Sequence, residues 1–352
     1  MKAVKTWAFI LALACLGGQA RAAEVQFRAA VAAETAAAFA RDDFKAIETR
    51  YAAALASGER SPAGAFTAGL IRSGVFDDPQ GESAVPGRDD HWLPIERKLD
   101  QWAAQFPHSS LVAVLQSAAY IGHGWSWRGG GYARSVTPEG FKKVEEYTQR
   151  AYAALQARQK IGRKDPYWYV QMLHVARIQG WRGDRYGQLV QEATSAFPLN
   201  QDIYFAIGTS LQPRWGGSLQ AIASFAAWAV EQTRQAEGEA LYARIYWSVR
   251  EPEALGGPDV DWGRIRAGFD EVVKRYPDSW NLNNYARMAC EARDFATAKR
   301  VLLRIGEDVE PSAWLDRPTY IRCRTAAGVQ ESAATAGPKG NAPVPPPAAT
   351  GA

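Results

Sequence analysis

The sequence predicts an all-α protein, a helical-repeat solenoid of antiparallel helix pairs, and three observations carry that reading. Apolar residues recur at helical spacing, as in Phe141, Val144, Thr148, Ala151 and Leu155, or Phe269, Val272, Val273 and Tyr276. That is the period of a helix buried along one stripe. No segment alternates as a half-buried strand would. An aromatic-proline pair placed to end one helix and open the next recurs at Phe106-Pro107-His108-Ser109, Phe197-Pro198-Leu199-Asn200 and Tyr276-Pro277-Asp278-Ser279, at spacings of 91 and 79 residues. Each interval matches two helix pairs of about 34–45 residues.

Taken in order, the chain opens with Lys2 and Lys5, an apolar run from Trp7 to Leu16, and the small-x-small site Ala20-Arg21-Ala22. These are the three parts of a secretory signal peptide, residues 1–22, cleaved after Ala22. Its apolar run is about half the roughly 20 residues that span a bilayer, and no later segment reaches that length without charges. The expected product carries no transmembrane segment and is periplasmic or secreted. Leu11-Ala12-Leu13-Ala14-Cys15 loosely resembles a lipoprotein motif, but Gly17 and Gly18 follow Cys15 too late, so anchoring through Cys15 is the lesser expectation. Cleavage removes Lys2, Lys5 and Arg21 from the 41 basic residues, leaving 38 against 37 acidic. Near-neutrality without a Lys/Arg stripe argues against a nucleic-acid partner.

Residues 23–57 read as a first helix pair, with Ala38, Asp43-Phe44, Ile47 and Tyr51 at repeat-like offsets. Residues 58–91 are rich in Gly, Pro, Ser and Asp and read as a long connection or partly ordered insertion, with a short apolar stretch from Ala65 to Ile71. Residues 92–324 form the main helical-repeat domain. Within it, Thr137-Pro138-Glu139 and Asp165-Pro166 place an N-cap oxygen before a proline whose missing N–H costs nothing in a first turn. Stops follow at Gly162, Gly180 and Phe197-Pro198. The last unit carries Leu282, Tyr285, Ala286, Ala289, Asp294-Phe295, Ala298, Leu302 and Pro311, nearly the offsets of a tetratricopeptide repeat, in which small residues let two helices approach and an acidic-aromatic step starts the second. Residues 325–352, with Pro345-Pro346-Pro347, read as a disordered tail.

From Trp92 to about residue 325 the chain resembles the bacterial family catalogued as domain of unknown function 4034. The resemblance rests on Trp125-Ser126-Trp127-Arg128-Gly129-Gly130-Gly131, Asp165-Pro166-Tyr167-Trp168-Tyr169, Arg214-Trp215-Gly216-Gly217-Ser218, Glu237-Gly238 and Leu241-Tyr242-Ala243-Arg244-Ile245-Tyr246-Trp247. It implies helical repeats and brings no activity, ligand or catalytic residue with it.

Site chemistry is sparse. The Gly129–Gly131 run and the Gly216-Gly217 pair fit neither phosphate-loop signature, and Gly216-Gly217-Ser218 reads as a turn with Ser218 capping the next helix. Of the twelve tryptophans beyond the leader, most belong in the core as spacers between helices; Trp127 with Arg128, and Arg214 with Trp215, sit at Gly-rich breaks and are the candidate ligand-binding residues. His91, His108, His123 and His174 show no metal-ligand spacing, no cofactor motif is present, and Asp89-Asp90-His91 reads as a solvated loop cluster. Cys290 and Cys323 read as a disulfide in an exported protein. Glu82-Ser83 has the dipeptide of a lytic transglycosylase but lacks a helical domain to raise the carboxyl pKa. The leading expectation is a binding or scaffolding module for a protein, peptide or envelope glycan. The alternative is an enzyme acting on cell-wall or glycan substrates through an unfamiliar site.

Overall fold

The computed structural model describes residues 23–76, 87–129, 133–249, 255 and 260–330. The leader, Glu82-Ser83, Gly130, Gly131 and the tail beyond residue 330 lie outside the described residues. Among those described the protein is all-helical, with sixteen α-helices, no strand, and one isolated bridge between Arg60 and Phe66. No helix among them is long and apolar enough to cross a membrane. The chain divides into a first unit ending at Asn281 and a second beginning at Leu282.

The first unit holds α1 (Ala23–Ala40), α2 (Phe44–Ser57), the short α3 (Thr67–Ile71), α4 (Asp89–Gln105), α5 (Ser110–Arg128), α6 (Pro138–Ala157), the one-turn α7 (Gln159–Gly162), α8 (Pro166–Ile178), α9 (Gly183–Ala196), α10 (Gln201–Ser210), α11 (Leu219–Glu237), α12 (Ala240–Val249), α13 (Trp262–Arg275) and the opening turn of α14 (Ser279–Glu291). Two kinds of helix alternate. In α5, α8, α10 and α12 most positions are buried, whereas α4, α6, α9, α11 and α13 bury one stripe, such as Ile222, Ala226, Ala229, Val230 and Thr233 of α11. The buried helices pack in series, α5 on α8, α8 on α10 and α10 on α12, with striped helices against them.

The repeated aromatic-proline motif is a repeated conformation. Phe106, Phe197 and Tyr276 follow α4, α9 and α13 with φ of −124°, −136° and −129° and ψ of 66°, 65° and 77°. The proline that follows cannot continue a helix. Next comes a capping side chain: Ser109 accepts from the Val112 N–H, Asn200 from Asp202 and Asp278 from Trp280. A second repeated turn joins α1 to α2 and α14 to α15 (Phe295–Ile305). Asp42 and Arg293 both take φ of 58°, and the next amides, of Asp43 and Asp294, donate to the carbonyls of Ala38 and Ala289 at 3.0 and 2.9 Å. Asp43 and Asp294 then cap the following helix by accepting from Ala46 and Thr297. Because each cap satisfies an otherwise orphaned amide, Asp43→Ala is expected to cost about 1 kcal/mol. Chemical denaturation checks this, and an unchanged midpoint would show that water replaces the cap.

Within residues 58–91, Thr67, Ala68 and Ile71 of α3 are buried against α1 and α2, and a 3₁₀ turn, Arg72–Val75, follows. Glycine makes this close seating possible, since a Cβ on Gly74 would stand 2.3 Å from the Ala32 carbonyl oxygen. Phe141, placed on the buried stripe of α6 by its spacing, is 47% exposed.

The second unit contains the rest of α14, α15 and α16 (Arg317–Ala326), the last running slightly past the expected start of the tail. Cys290 and Cys323 are bonded, with Cα atoms 5.6 Å apart. Trp314 donates from its indole to Asn283 at 2.9 Å, and Arg287 donates to the Ala313 carbonyl at 3.0 Å.

Candidate functional site

The first unit carries an open-sided cavity of about 470 Å³, within the roughly 300–1,000 Å³ range of small-ligand sites. The segment from Ala63 to Arg72 forms one side. Arg28 reaches in from α1, Gln201 and Asp202 from the first turn of α10, Arg244 and Trp247 from α12, and Trp280 from the first turn of α14. First turns of helices carry unpaired amides and a partial positive charge. The indole rings of Trp247 and Trp280 lie 6.5 Å apart at 45°.

Three guanidinium groups line this space against one carboxylate. Arg28 is paired with Glu24 one turn earlier and lies 5.7 Å from the Trp280 ring. Arg244, 4% exposed, donates one hydrogen bond, to the Ala63 carbonyl at 3.3 Å. Burial pulls its pKa below the usual value for arginine, although arginine remains charged in proteins. Arg72 lies 4.7 Å from the Tyr167 ring and donates no hydrogen bond to any described residue; its Nε is enclosed. Among the described residues neither Arg72 nor Arg244 has a carboxylate at ion-pair distance. A buried cation without such a partner costs several kcal/mol unless something else neutralises it.

The carboxylate is Asp202. Burial raises its pKa, opposed first by Arg72 and then by the hydroxyl of Tyr167, which donates to Oδ2 at 3.0 Å. Its Oδ1 accepts from no described donor. Gln201 donates to the Gly64 carbonyl at 3.3 Å and keeps an unmatched Oε1.

The four residues predicted from sequence lie elsewhere, and not all together. Arg128 lies 4.6 Å from the ring of Trp125, Trp215 meets Trp125 edge-on at 6.0 Å, and Arg177 lies 4.8 Å from the ring of Trp215. Arg214 donates to Gln212 at 2.8 Å. Trp127 is apart from this stack, wedged against Gly87, where a Cβ would come within 2.3 Å of the indole, and faced by Lys143 at 5.7 Å. Arg128 and Arg177 occupy the last turns of α5 and α8, where cations offset the negative helix end. None of the four lines the cavity.

Two histidines have defined roles in the core. His123, with no exposed surface, holds Glu96 through Nδ1 at 2.6 Å and Asp89 through Nε2 at 2.8 Å, while Arg150 holds the other oxygen of Glu96 at 2.8 Å. Asp89 is therefore the first residue of α4 rather than of a loop, and it holds a core imidazole while staying 54% exposed. His174 is different: burial, with Arg177 and then Arg72 adding positive charge, pushes its pKa down to about 3. The unfolded chain takes up a proton near the ordinary value of about 6.5 that the folded chain refuses. Stability is thus expected to fall by up to about 1.4 kcal/mol per pH unit as pH drops from about 6.5 toward 3. His174→Gln should flatten that slope in unfolding measured across pH, and an unaltered slope would show that His174 protonates in the folded state.

Arg72, Asp202, Arg244, Trp247 and Trp280 were all missed from sequence. One signal was there to be found: Arg244 is the single charge in Leu241–Trp247, a run whose neighbours are apolar or aromatic. In comparisons with protein-family models, with curated proteins and with solved structures, nothing matches this chain.

Proposed function

We propose that the protein is an exported binding module, built from tetratricopeptide-like helix pairs akin to those of domain of unknown function 4034, whose first unit takes a small anionic ligand in the Arg72/Arg244 cavity. The repeat part of this reading is supported by three connectors with near-identical dihedrals and by helices packed in series. Export is supported by the signal-like first 22 residues. One observation carries the ligand: two guanidinium groups line an aromatic-walled cavity with no carboxylate at ion-pair distance among the described residues, and one lining acid, Asp202, to set against both. An anion there would supply the missing countercharge and accept charge-assisted hydrogen bonds. A glycan-cleaving enzyme ordinarily works with two carboxyl groups across the scissile bond. Asp202 is the single acid among the lining residues, which favours binding over catalysis.

The test is a titration of the full chain, followed by tryptophan fluorescence, with inorganic phosphate, citrate and glucuronate beside neutral glucose. At least one anion is expected to give a saturable change that weakens as salt rises. Absence of saturable binding for every anion would remove the proposal.

A further inference from the structure

We propose that the ligand of this cavity is the carboxylate of an acidic sugar, a uronate unit. The inference rests on the anion-binding reading and narrows it. Charge comes first. Glu24 compensates Arg28, and Asp202 can compensate one of Arg72 and Arg244, so the lining retains about one positive charge. A monoanion balances it, whereas a zwitterionic amino acid brings no net charge and a dianion, though still attracted, exceeds it by one.

Hydrogen-bond sense comes second. Arg72 and Arg244 offer donors suited to a carboxylate, with the terminal nitrogens of Arg72 and the Nε and Nη1 of Arg244 donating to no described residue. Asp202 Oδ1 is an acceptor on the same lining. That acceptor calls for a ligand that also brings hydrogens, as sugar hydroxyls do and a plain carboxylate does not. Shape comes third. Trp247 and Trp280 both line the cavity, and an indole is the kind of flat apolar ring on which the C–H face of a pyranose packs.

The experiment is calorimetric titration of the unaltered full chain with glucuronate, with glucose as the neutral sugar of the same ring, with propionate as a carboxylate lacking hydroxyls, with inorganic phosphate and with alanine as a zwitterion. Glucuronate is expected to bind at least about tenfold more tightly than each of the others, the scale of one charge-assisted or two neutral hydrogen bonds lost. Propionate, phosphate or alanine binding as tightly as glucuronate would overturn the sugar assignment and leave the anion site standing. No binding by any anion would overturn both. In Asp202→Ala the preference for glucuronate over propionate should shrink toward equality, because the acceptor that distinguishes the two ligands is gone. A preference that survives in a folded variant would overturn the role given to Asp202.

Discussion

Arg244→Met is expected to weaken anion binding by at least about 30-fold without lowering the stability of the fold. The first half follows from removing a desolvated guanidinium from the cavity, because a charge-assisted hydrogen bond contributes about 1.5–3 kcal/mol. The second half follows from what Arg244 leaves behind. Its one protein acceptor, the Ala63 carbonyl, also accepts from Asn281 at 3.1 Å and so stays satisfied. Methionine fills much of the volume of the arginine stem without a charge to desolvate, and replacing buried charge by apolar groups is often neutral or stabilising by about 1–4 kcal/mol. Ligand titration together with thermal unfolding reads both halves. A variant that loses stability and keeps its affinity would make Arg244 a structural residue.

The second large effect concerns the bond between Cys290 and Cys323, which are 33 residues apart in sequence. Closing a loop of that length stabilises a fold by about 3–4 kcal/mol in the chain-entropy model. The second unit has three helices over which to bury apolar surface, so this is a large share of what a domain's stability commonly amounts to, about 5–15 kcal/mol. Cys290→Ala/Cys323→Ala, or reduction of the unaltered chain, is expected to lower the guanidinium midpoint of the second unit. Equal midpoints with and without reductant would contradict this.

Most of the helical architecture was legible because it is local. Capping oxygens at Asp43, Thr137, Asp165, Ser218 and Asp294 act within three residues of themselves, and the aromatic-proline connectors need four consecutive positions. The cavity was not legible for the opposite reason. Its lining comes from Arg28, from residues 63–72, from Gln201 and Asp202, from Arg244 and Trp247, and from Trp280, and no spacing rule links positions so far apart. Composition also misdirected. Glycine and proline in residues 58–91 suggested slack chain, yet Gly74 permits close packing of a segment that contributes Arg72. Near the Gly-rich break after Trp127, Arg128 sits in the last turn of α5, whose dipole it offsets.

Anomalous diffraction from crystals of the full chain soaked in selenate tests the central claim most directly, since selenate is an oxyanion that a pair of guanidinium groups can hold and that diffraction locates without ambiguity. The account predicts a selenium peak inside the cavity, within hydrogen-bonding reach of Arg72 and Arg244. Selenate found only at surface arginines such as Arg182 and Arg214, with the cavity unoccupied at saturating concentration, would contradict it.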